Sequence, residues 1–135
     1  MSTQRSFQLL IKPVGADCNL SCDYCFYLRT ADLYASSGAH RMSETVLEQL
    51  IKSFLSYRFA ESVFAWQGGE PTLAGLPFFQ KAVELQIKHG TTGQIAGNSL
   101  QTNGLLIDDE WCRFLSHYKF LVGLSLDGPE EIHNQ

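Results

Sequence analysis

The sequence has no block of basic residues, no internal repeat or linker, and no low-complexity segment. Its net charge of −4 argues against binding to nucleic acid or to an anionic membrane surface. The polar N-terminus, residues 1–8, lacks the apolar core of a signal peptide, and no apolar run is long enough to span a bilayer. The length of 135 residues suits one domain. We therefore expect a cytoplasmic protein with no membrane partner.

The sequence contains four cysteines, and three of them fall within eight residues, as Cys18, Cys22 and Cys25. In a reducing compartment, clustered cysteines are more typical of metal ligands than of disulfides. A structural zinc ion normally has four protein ligands, and none of the four histidines lies close to this trio in sequence. A 4Fe-4S cluster held by three cysteines would leave one iron open to a small molecule. Cluster and zinc are both possible from spacing alone.

The fourth cysteine, Cys112, lies far along the chain within a helical pattern. We expect it to be a small buried side chain, because free cysteine is among the residue types most often buried.

Apolar patterning predicts four strands that alternate with helices. The strands are expected over Phe7–Ile11, over Val63–Trp66, within Gln94–Gln101, and over Phe120–Leu126. Helical turns are expected within Phe26–Ala35, and longer helices after the cap Ser43, near Pro77 with an end at His89-Gly90, and after the cap Asp108. This βα alternation predicts an α/β fold with a parallel sheet and right-handed crossovers.

Each motif with chemical potential directly follows one of these strands. The motifs are, in chain order, the cysteine segment, Gly68-Gly69-Glu70-Pro71, Gln101-Thr102-Asn103-Gly104, and Ser125–Pro129. Ligands in parallel α/β folds bind at the carboxyl ends of the strands, whether the sheet is open or closed into a barrel. The sequence therefore predicts that the four motifs meet in one site.

With these motifs, the chain resembles the N-terminal part of a radical S-adenosylmethionine (AdoMet) enzyme, and more narrowly an anaerobic sulfatase-maturating enzyme. The resemblance runs through Leu10–Pro13, the cysteine motif with Phe26-Tyr27, Gln67–Leu73, Asn98–Gly104 and Val122–Pro129. It implies a partial (β/α) radical-SAM barrel of about four parallel strands, with residues 1–135 as the N-terminal part of the core domain. It also implies that the rest of the barrel and an auxiliary-cluster domain are absent, so that residues 1–135 alone would not complete the reaction.

The resemblance implies two cofactors, a 4Fe-4S cluster and AdoMet. The cluster would be held by Cys18, Cys22 and Cys25, and its fourth iron would be chelated by the amino and carboxylate groups of AdoMet. Zinc is the alternative metal for the same three thiols.

Other residues match AdoMet contacts of the family. Gly68, Gly69 and Glu70 match the motif that receives the methionine amino group, although such a motif alone could be a strand-ending turn. Tyr24 matches a position near the adenine, and its alternative is an aromatic that packs the loop. Ser125 matches a contact to the ribose or methionyl part, and its alternative is a hydrogen-bonded strand-end hydroxyl.

Further polar residues near these motifs have less specific roles. Gln67, Gln101 and Asn103 could hydrogen-bond to cofactor or peptide, and a structural turn role is equally expected for Gln101 and Asn103. Asp127 is expected to organise the loop before Gly128-Pro129, because the proton-accepting aspartate of the family lies later in the chain. No catalytic residue is therefore assigned within this chain.

The reaction that the resemblance implies is oxidation of a cysteine or serine of a sulfatase to formylglycine. A 5′-deoxyadenosyl radical would remove a hydrogen from the β-carbon, and loss of a second electron and a proton would follow. The implied partners are a sulfatase polypeptide and an electron donor such as a flavodoxin or ferredoxin. Two alternatives are a radical maturase of another ribosomal peptide and a non-catalytic metal-binding module.

Overall fold

A computed structural model describes residues 5–34 and 38–135, which contain a parallel sheet of four strands in the order β1-β2-β3-β4. The strands are β1 Leu9–Ile11, β2 Glu61–Trp66, β3 Ile95–Thr102 and β4 Leu121–Leu124. The helices are α1 Tyr27–Ala31, α2 Glu44–Leu55, α3 Leu76–His89, α4 Asp109–His117 and α5 Glu130–His133, with a 3-10 helix at Pro71–Ala74. This arrangement confirms the predicted α/β class and parallel sheet.

The register of the sheet brings the strand ends together. Ile11 pairs with Trp66, and Trp66 pairs with Leu100 on the next strand. Farther along, Thr102 pairs with Leu124. Because all four strands run in the same direction, the loops that follow them leave from one edge of the sheet. The four motifs predicted from sequence therefore lie at that edge.

The core lies between one face of the sheet and the helices. In β2 the residues Ser62, Phe64 and Trp66 are buried, as alternation along a strand requires. The Trp66 ring meets Phe79 of α3 at a centroid distance of 5.5 Å, and Phe79 meets Trp111 of α4 at 5.3 Å. Burial of such large rings contributes much of the stability of the fold and fixes the sheet against its helices.

The helix starts confirm the caps read from sequence. Ser43 Oγ accepts a hydrogen bond from the Val46 N–H, and Asp108 Oδ1 accepts one from the Trp111 N–H. Pro77 lies in the first turn of α3, and α3 ends at His89 as predicted. None of the helices in the described ranges is long and apolar enough to cross a membrane.

Some boundaries differ from those predicted. β4 is shorter than Phe120–Leu126, since Ser125 already belongs to the loop that follows it. The helical turns predicted within Phe26–Ala35 form only at Tyr27–Ala31, and Ala35 lies outside the described residues. The Ser36-Ser37-Gly38 cluster in the sequence indicates a loop, but Ser36 and Ser37 lie outside the described residues.

The burial of Cys112 was predicted wrongly, because its side chain is exposed. The buried face of α4 consists of Trp111, Phe114 and Leu115. Cys112 follows Trp111 by one position, about 100° around the helix, and therefore points away from the core. Tyr118 follows the end of α4 and is exposed.

An ion pair between α2 and α3 predicts acid sensitivity of the fold. Glu48 accepts hydrogen bonds from Lys88 Nζ and His89 Nε2, each at 2.8 Å. The Lys88 bond, followed by the His89 bond, lowers the pKa of Glu48 from 4.5 to about 2. Because the folded-state pKa is depressed, the stabilisation is present above pH 4.5 and is lost as pH falls towards about 2.

We therefore expect the wild type to be more stable than Glu48→Gln near neutral pH. The free energies of unfolding of the two proteins should converge as pH falls from 4.5 towards about 2. Urea unfolding of both proteins across the pH range is the measurement. Added salt should reduce the difference, because the pair is exposed. A difference in the free energy of unfolding that stays constant with pH would contradict a stabilising role of the Glu48 ion pair.

Candidate cofactor site

The cysteine segment is a loop of turns between β1 and α1. The Cys25 N–H donates to the Cys22 carbonyl at 2.9 Å, which closes the turn that contains Tyr24. All four cysteines are free thiols, with Cys18 exposed and Cys22 and Cys25 half-buried. Within residues 5–34 and 38–135, no three His, Cys, Asp or Glu side chains are close enough to hold one metal ion. Three free thiols on one loop are nonetheless the donor set of an iron-sulfur centre, so these residues fit such a centre in chemistry.

The loop after β2 packs its backbone against the segment that leads into the cysteines. The Gly69 N–H donates to the Gly15 carbonyl at 3.0 Å, and the Glu70 N–H donates to the Asp17 carbonyl at 2.7 Å. A Cβ atom on Gly69 would lie 2.0 Å from the Asp17 oxygen and 2.5 Å from the Ala16 oxygen. Only glycine permits this approach, so the two loops are held together just before Cys18.

The substitution Gly69→Ala should separate these loops, because the new Cβ meets backbone atoms that cannot move away as a flexible side chain would. We expect a loss of at least 2 kcal/mol in the free energy of unfolding, roughly the cost of strain plus broken hydrogen bonds. Cluster content after anaerobic reconstitution should fall as well. Gly38→Ala is the matched control, because its Cβ would meet no atom within 4 Å. Equal stability of the two variants would contradict this packing.

Glu70 is buried, and its carboxylate joins the loops after β2 and β3. Oε1 accepts from the Thr72 N–H at 3.1 Å, from the Thr72 hydroxyl at 2.6 Å and from the Thr102 hydroxyl at 2.7 Å. Oε2 accepts from the Asn103 N–H at 2.8 Å. Both oxygens are thus used by donors of the protein itself. The Glu70 side chain therefore connects the loop after β2 with the loop after β3.

Asn103 connects the loop after β3 with the cysteine loop. Its Nδ2 donates to Asn19 Oδ1 at 2.8 Å and lies 3.9 Å from Cys18 Sγ. Its Oδ1 accepts from the Leu105 N–H at 3.1 Å. The expectation of a turn role for Asn103 therefore agrees with the structure, which adds a contact to the first cysteine.

Tyr24 connects the cysteine loop with the loop after β4. Its hydroxyl donates to Asp127 Oδ2 at 2.5 Å, across 103 residues of sequence. The bond to the Asp127 carboxylate raises the pKa of Tyr24 to about 12, so the phenol keeps its proton at neutral pH. The ring is 75% exposed, which disagrees with a role in packing the loop. Asp127 joins the two loops, in line with the loop role expected from sequence.

Ser125 lies at the start of the same loop. Its hydroxyl accepts a hydrogen bond from Gln101 Nε2 at 3.0 Å, and its N–H donates to the Thr102 carbonyl at 2.9 Å. A Cβ on Gly123 would lie 2.2 Å from Gln101 Oε1, so the Gln101 side chain crosses β4 where there is no side chain. The serine is exposed at the edge where the other motifs end.

One pair next to the cysteines was missed in the sequence. Asp17 Oδ2 accepts from the His40 N–H at 2.8 Å, and Asp17 Oδ1 lies 2.9 Å from His40 Nδ1. The hydrogen bond from the His40 backbone N–H lowers the pKa of Asp17. Burial of the carboxylate opposes this shift, but its effect is smaller. Asp17 and His40 are 23 residues apart in sequence, so no short-range sequence motif indicates that they form a pair. The pair ties the residue before Cys18 to the segment that precedes α2.

Comparison with known proteins identifies the class. Residues 13–135 match the model of the Radical SAM superfamily, and the chain belongs to that superfamily. Its members use a 4Fe-4S cluster and AdoMet. The four parallel strands with intervening helices are accordingly part of a radical-SAM barrel.

Within the superfamily, the similar proteins include anaerobic sulfatase-maturating enzymes. The chain is 54% identical over 126 residues to the cysteine-type anaerobic sulfatase-maturating enzyme of Clostridium perfringens, covering 93% of this chain and 34% of the relative. It is 44% identical over 128 residues to the serine-type enzyme of Bacteroides thetaiotaomicron, covering 94% and 31%. The solved structure of native anSMEcpe with bound AdoMet superposes with a TM-score of 0.84 and 54% identity, covering 94% and 34%. The chain thus spans about a third of the length of these relatives.

Proposed function

We propose that the chain is part of an enzyme that uses AdoMet to oxidise a cysteine or serine of a sulfatase polypeptide to formylglycine. The observation that carries the proposal is the 54% identity, over 94% of the chain, to a sulfatase-maturating enzyme whose structure contains AdoMet. A second structure of that protein contains AdoMet and a cysteine peptide, and matches this chain with a TM-score of 0.83. Residues 1–135 would form the N-terminal part of the core domain.

Cys18, Cys22 and Cys25 would hold the 4Fe-4S cluster, and the loop between β1 and α1 would present them at the edge of the sheet. When bound, the cluster and AdoMet supply a 5′-deoxyadenosyl radical that removes a hydrogen atom from the substrate. The protein holds this loop in place through Asp17 and Gly69, whose backbone contacts lie directly before the first cysteine and after β2.

The carbonyl oxygens after β2 suit the amino group of AdoMet. In the described part of the chain, no backbone hydrogen bond is accepted by the Gly68 or Gly69 carbonyl. An ammonium group offers three donors and no acceptor, so free carbonyls are its appropriate partners. The Glu70 carboxylate is occupied by protein donors, and we therefore assign it to holding the loop.

Tyr24 would contact AdoMet near the adenine, and Ser125 would contact the ribose or methionyl part. Tyr24 belongs to the cysteine loop and Ser125 to the loop after β4, and the Tyr24–Asp127 hydrogen bond brings these two loops together. The exposed Tyr24 ring offers an aromatic face for the adenine. The Ser125 hydroxyl accepts one hydrogen bond from Gln101 and keeps its own proton to donate to a ribose or carboxylate oxygen.

The remaining partners follow from the reaction. Reductive cleavage of AdoMet would require an electron donor to the cluster, for which a flavodoxin or ferredoxin is the proposed class. The free cysteines suit a reducing compartment, and we propose the cytoplasm as the location.

The test is an anaerobic incubation of the product of the complete gene with AdoMet, a reductant and a sulfatase peptide carrying cysteine or serine at the target position. Mass spectrometry should detect formylglycine in at least one peptide, together with 5′-deoxyadenosine. A peptide with alanine at the target position is the control and should remain unchanged. Cleavage of AdoMet without formylglycine in either peptide would contradict the proposed substrate and favour a different ribosomal peptide.

A further inference from the structure

The Asn103 side-chain amide has one defined orientation. The Leu105 N–H donates to Asn103 Oδ1 at 3.1 Å, which fixes the oxygen end of the amide. The NH2 end consequently faces the cysteine loop, where Nδ2 donates to Asn19 Oδ1 at 2.8 Å and lies 3.9 Å from Cys18 Sγ. An amide NH2 group carries two hydrogens, so it has a donor for each of these two acceptors.

The backbone of Asn103 is held as firmly as its amide. The buried Glu70 accepts the Asn103 N–H at 2.8 Å and also binds the hydroxyl of Thr102, the preceding residue. The Gly104 N–H donates to the same Thr102 hydroxyl at 3.0 Å. Asn103 therefore stands in a loop fixed on both sides, and its amide is presented to the first cysteine rather than free to turn away.

We propose that Asn103 is a positioning residue that donates a hydrogen bond to the Cys18 sulfur and raises the reduction potential of the bound cluster. The inference rests on the proposed ligation of a 4Fe-4S cluster by Cys18, Cys22 and Cys25. The Leu20 N–H, 3.4 Å from Cys18 Sγ, is a second donor to the same sulfur. Cys18 thereby receives one donor from its own loop and one from the loop after β3.

The direction of the effect follows from charge. The cluster gains one electron on reduction, so its thiolate sulfurs become more negative and hydrogen bonds to them become stronger. Donors to the sulfurs stabilise the reduced state more than the oxidised state, and such donors are among the factors that set the potential of iron-sulfur centres. Loss of the Asn103 amide should therefore make the cluster harder to reduce.

Two variants separate the donor from the turn. Asn103→Ala removes the amide together with the acceptor for the Leu105 N–H. Asn103→Asp keeps an oxygen for Leu105 but replaces the donor near Cys18 with a negative oxygen. We expect a more negative midpoint potential in both, and the larger shift in Asn103→Asp. Asn134→Ala, on an exposed residue near the C-terminus, is the control and should match the wild type.

The measurement is an anaerobic redox titration of the reconstituted protein, followed by paramagnetic resonance of the reduced cluster, with iron and sulfide content determined for every variant. Wild-type protein that binds no iron-sulfur cluster would overturn the proposed function and this inference with it. Variants with full cluster content and the wild-type midpoint would overturn the inference alone. A shift in Asn103→Ala without a shift in Asn103→Asp would also overturn it, because the turn would then be the cause.

Discussion

Cys22→Ala is expected to lose nearly all of its iron and sulfide, because two thiolates cannot replace the three that the proposed cluster requires. The same result is expected for Cys18→Ala and Cys25→Ala. All three side chains are free thiols on one loop, and none is committed to a disulfide. Iron and sulfide determination after anaerobic reconstitution, with the absorption spectrum of the cluster, is the measurement.

The chain provides its own control in Cys112→Ala. Cys112 is a free thiol like the others, but it lies exposed on the outer face of α4. Its replacement should leave the full iron and sulfide content. Retention of iron in Cys22→Ala, or stoichiometric zinc in place of iron in the wild type, would contradict a three-cysteine cluster and favour the metal-binding alternative.

Glu70→Ala is expected to lower the free energy of unfolding by about 3 kcal/mol or more. The substitution leaves two hydroxyls and two backbone N–H groups without their acceptor in a buried position, and each such buried group costs about 1–3 kcal/mol where water cannot replace the partner. Denaturant unfolding is the measurement. Cluster content should fall as well, because Asn103 and the loop after β2 lose their common anchor.

Glu70→Gln should have an intermediate effect. Its amide oxygen can still accept from the threonines, whereas its NH2 group would face the Asn103 N–H, which is also a donor. Glu84→Ala, on the exposed surface of α3, is the control and should change stability little. A Glu70→Ala protein as stable as the wild type would contradict a role of this carboxylate in joining the loops.

Patterns of local origin were readable from the sequence. The caps Ser43 and Asp108 and the proline at the start of α3 depend on neighbouring residues, and all three were confirmed. The position of the four motifs at one edge of the sheet could also be predicted from the sequence, because parallel strands have their carboxyl ends at the same edge. Short-range sequence patterns and the general rules of parallel sheets are sufficient to predict these features.

Features that depend on tertiary packing were not readable. The Asp17–His40 pair joins residues far apart in sequence. The occupation of Glu70 by four donors depends on the register between β2 and β3, which no spacing specifies. The exposure of Cys112 is a local feature instead, because Cys112 lies one position past the buried Trp111 and so on another face of α4.

The central claim is that Cys18, Cys22 and Cys25 hold a cluster that binds AdoMet at its remaining iron. The most direct test is the paramagnetic resonance spectrum of the reduced, reconstituted protein with and without AdoMet. We expect a reduced 4Fe-4S signal whose g-values change when AdoMet is added, because the cofactor becomes a ligand of the open iron. A cluster signal that AdoMet leaves unchanged, or no cluster at all, would contradict the claim.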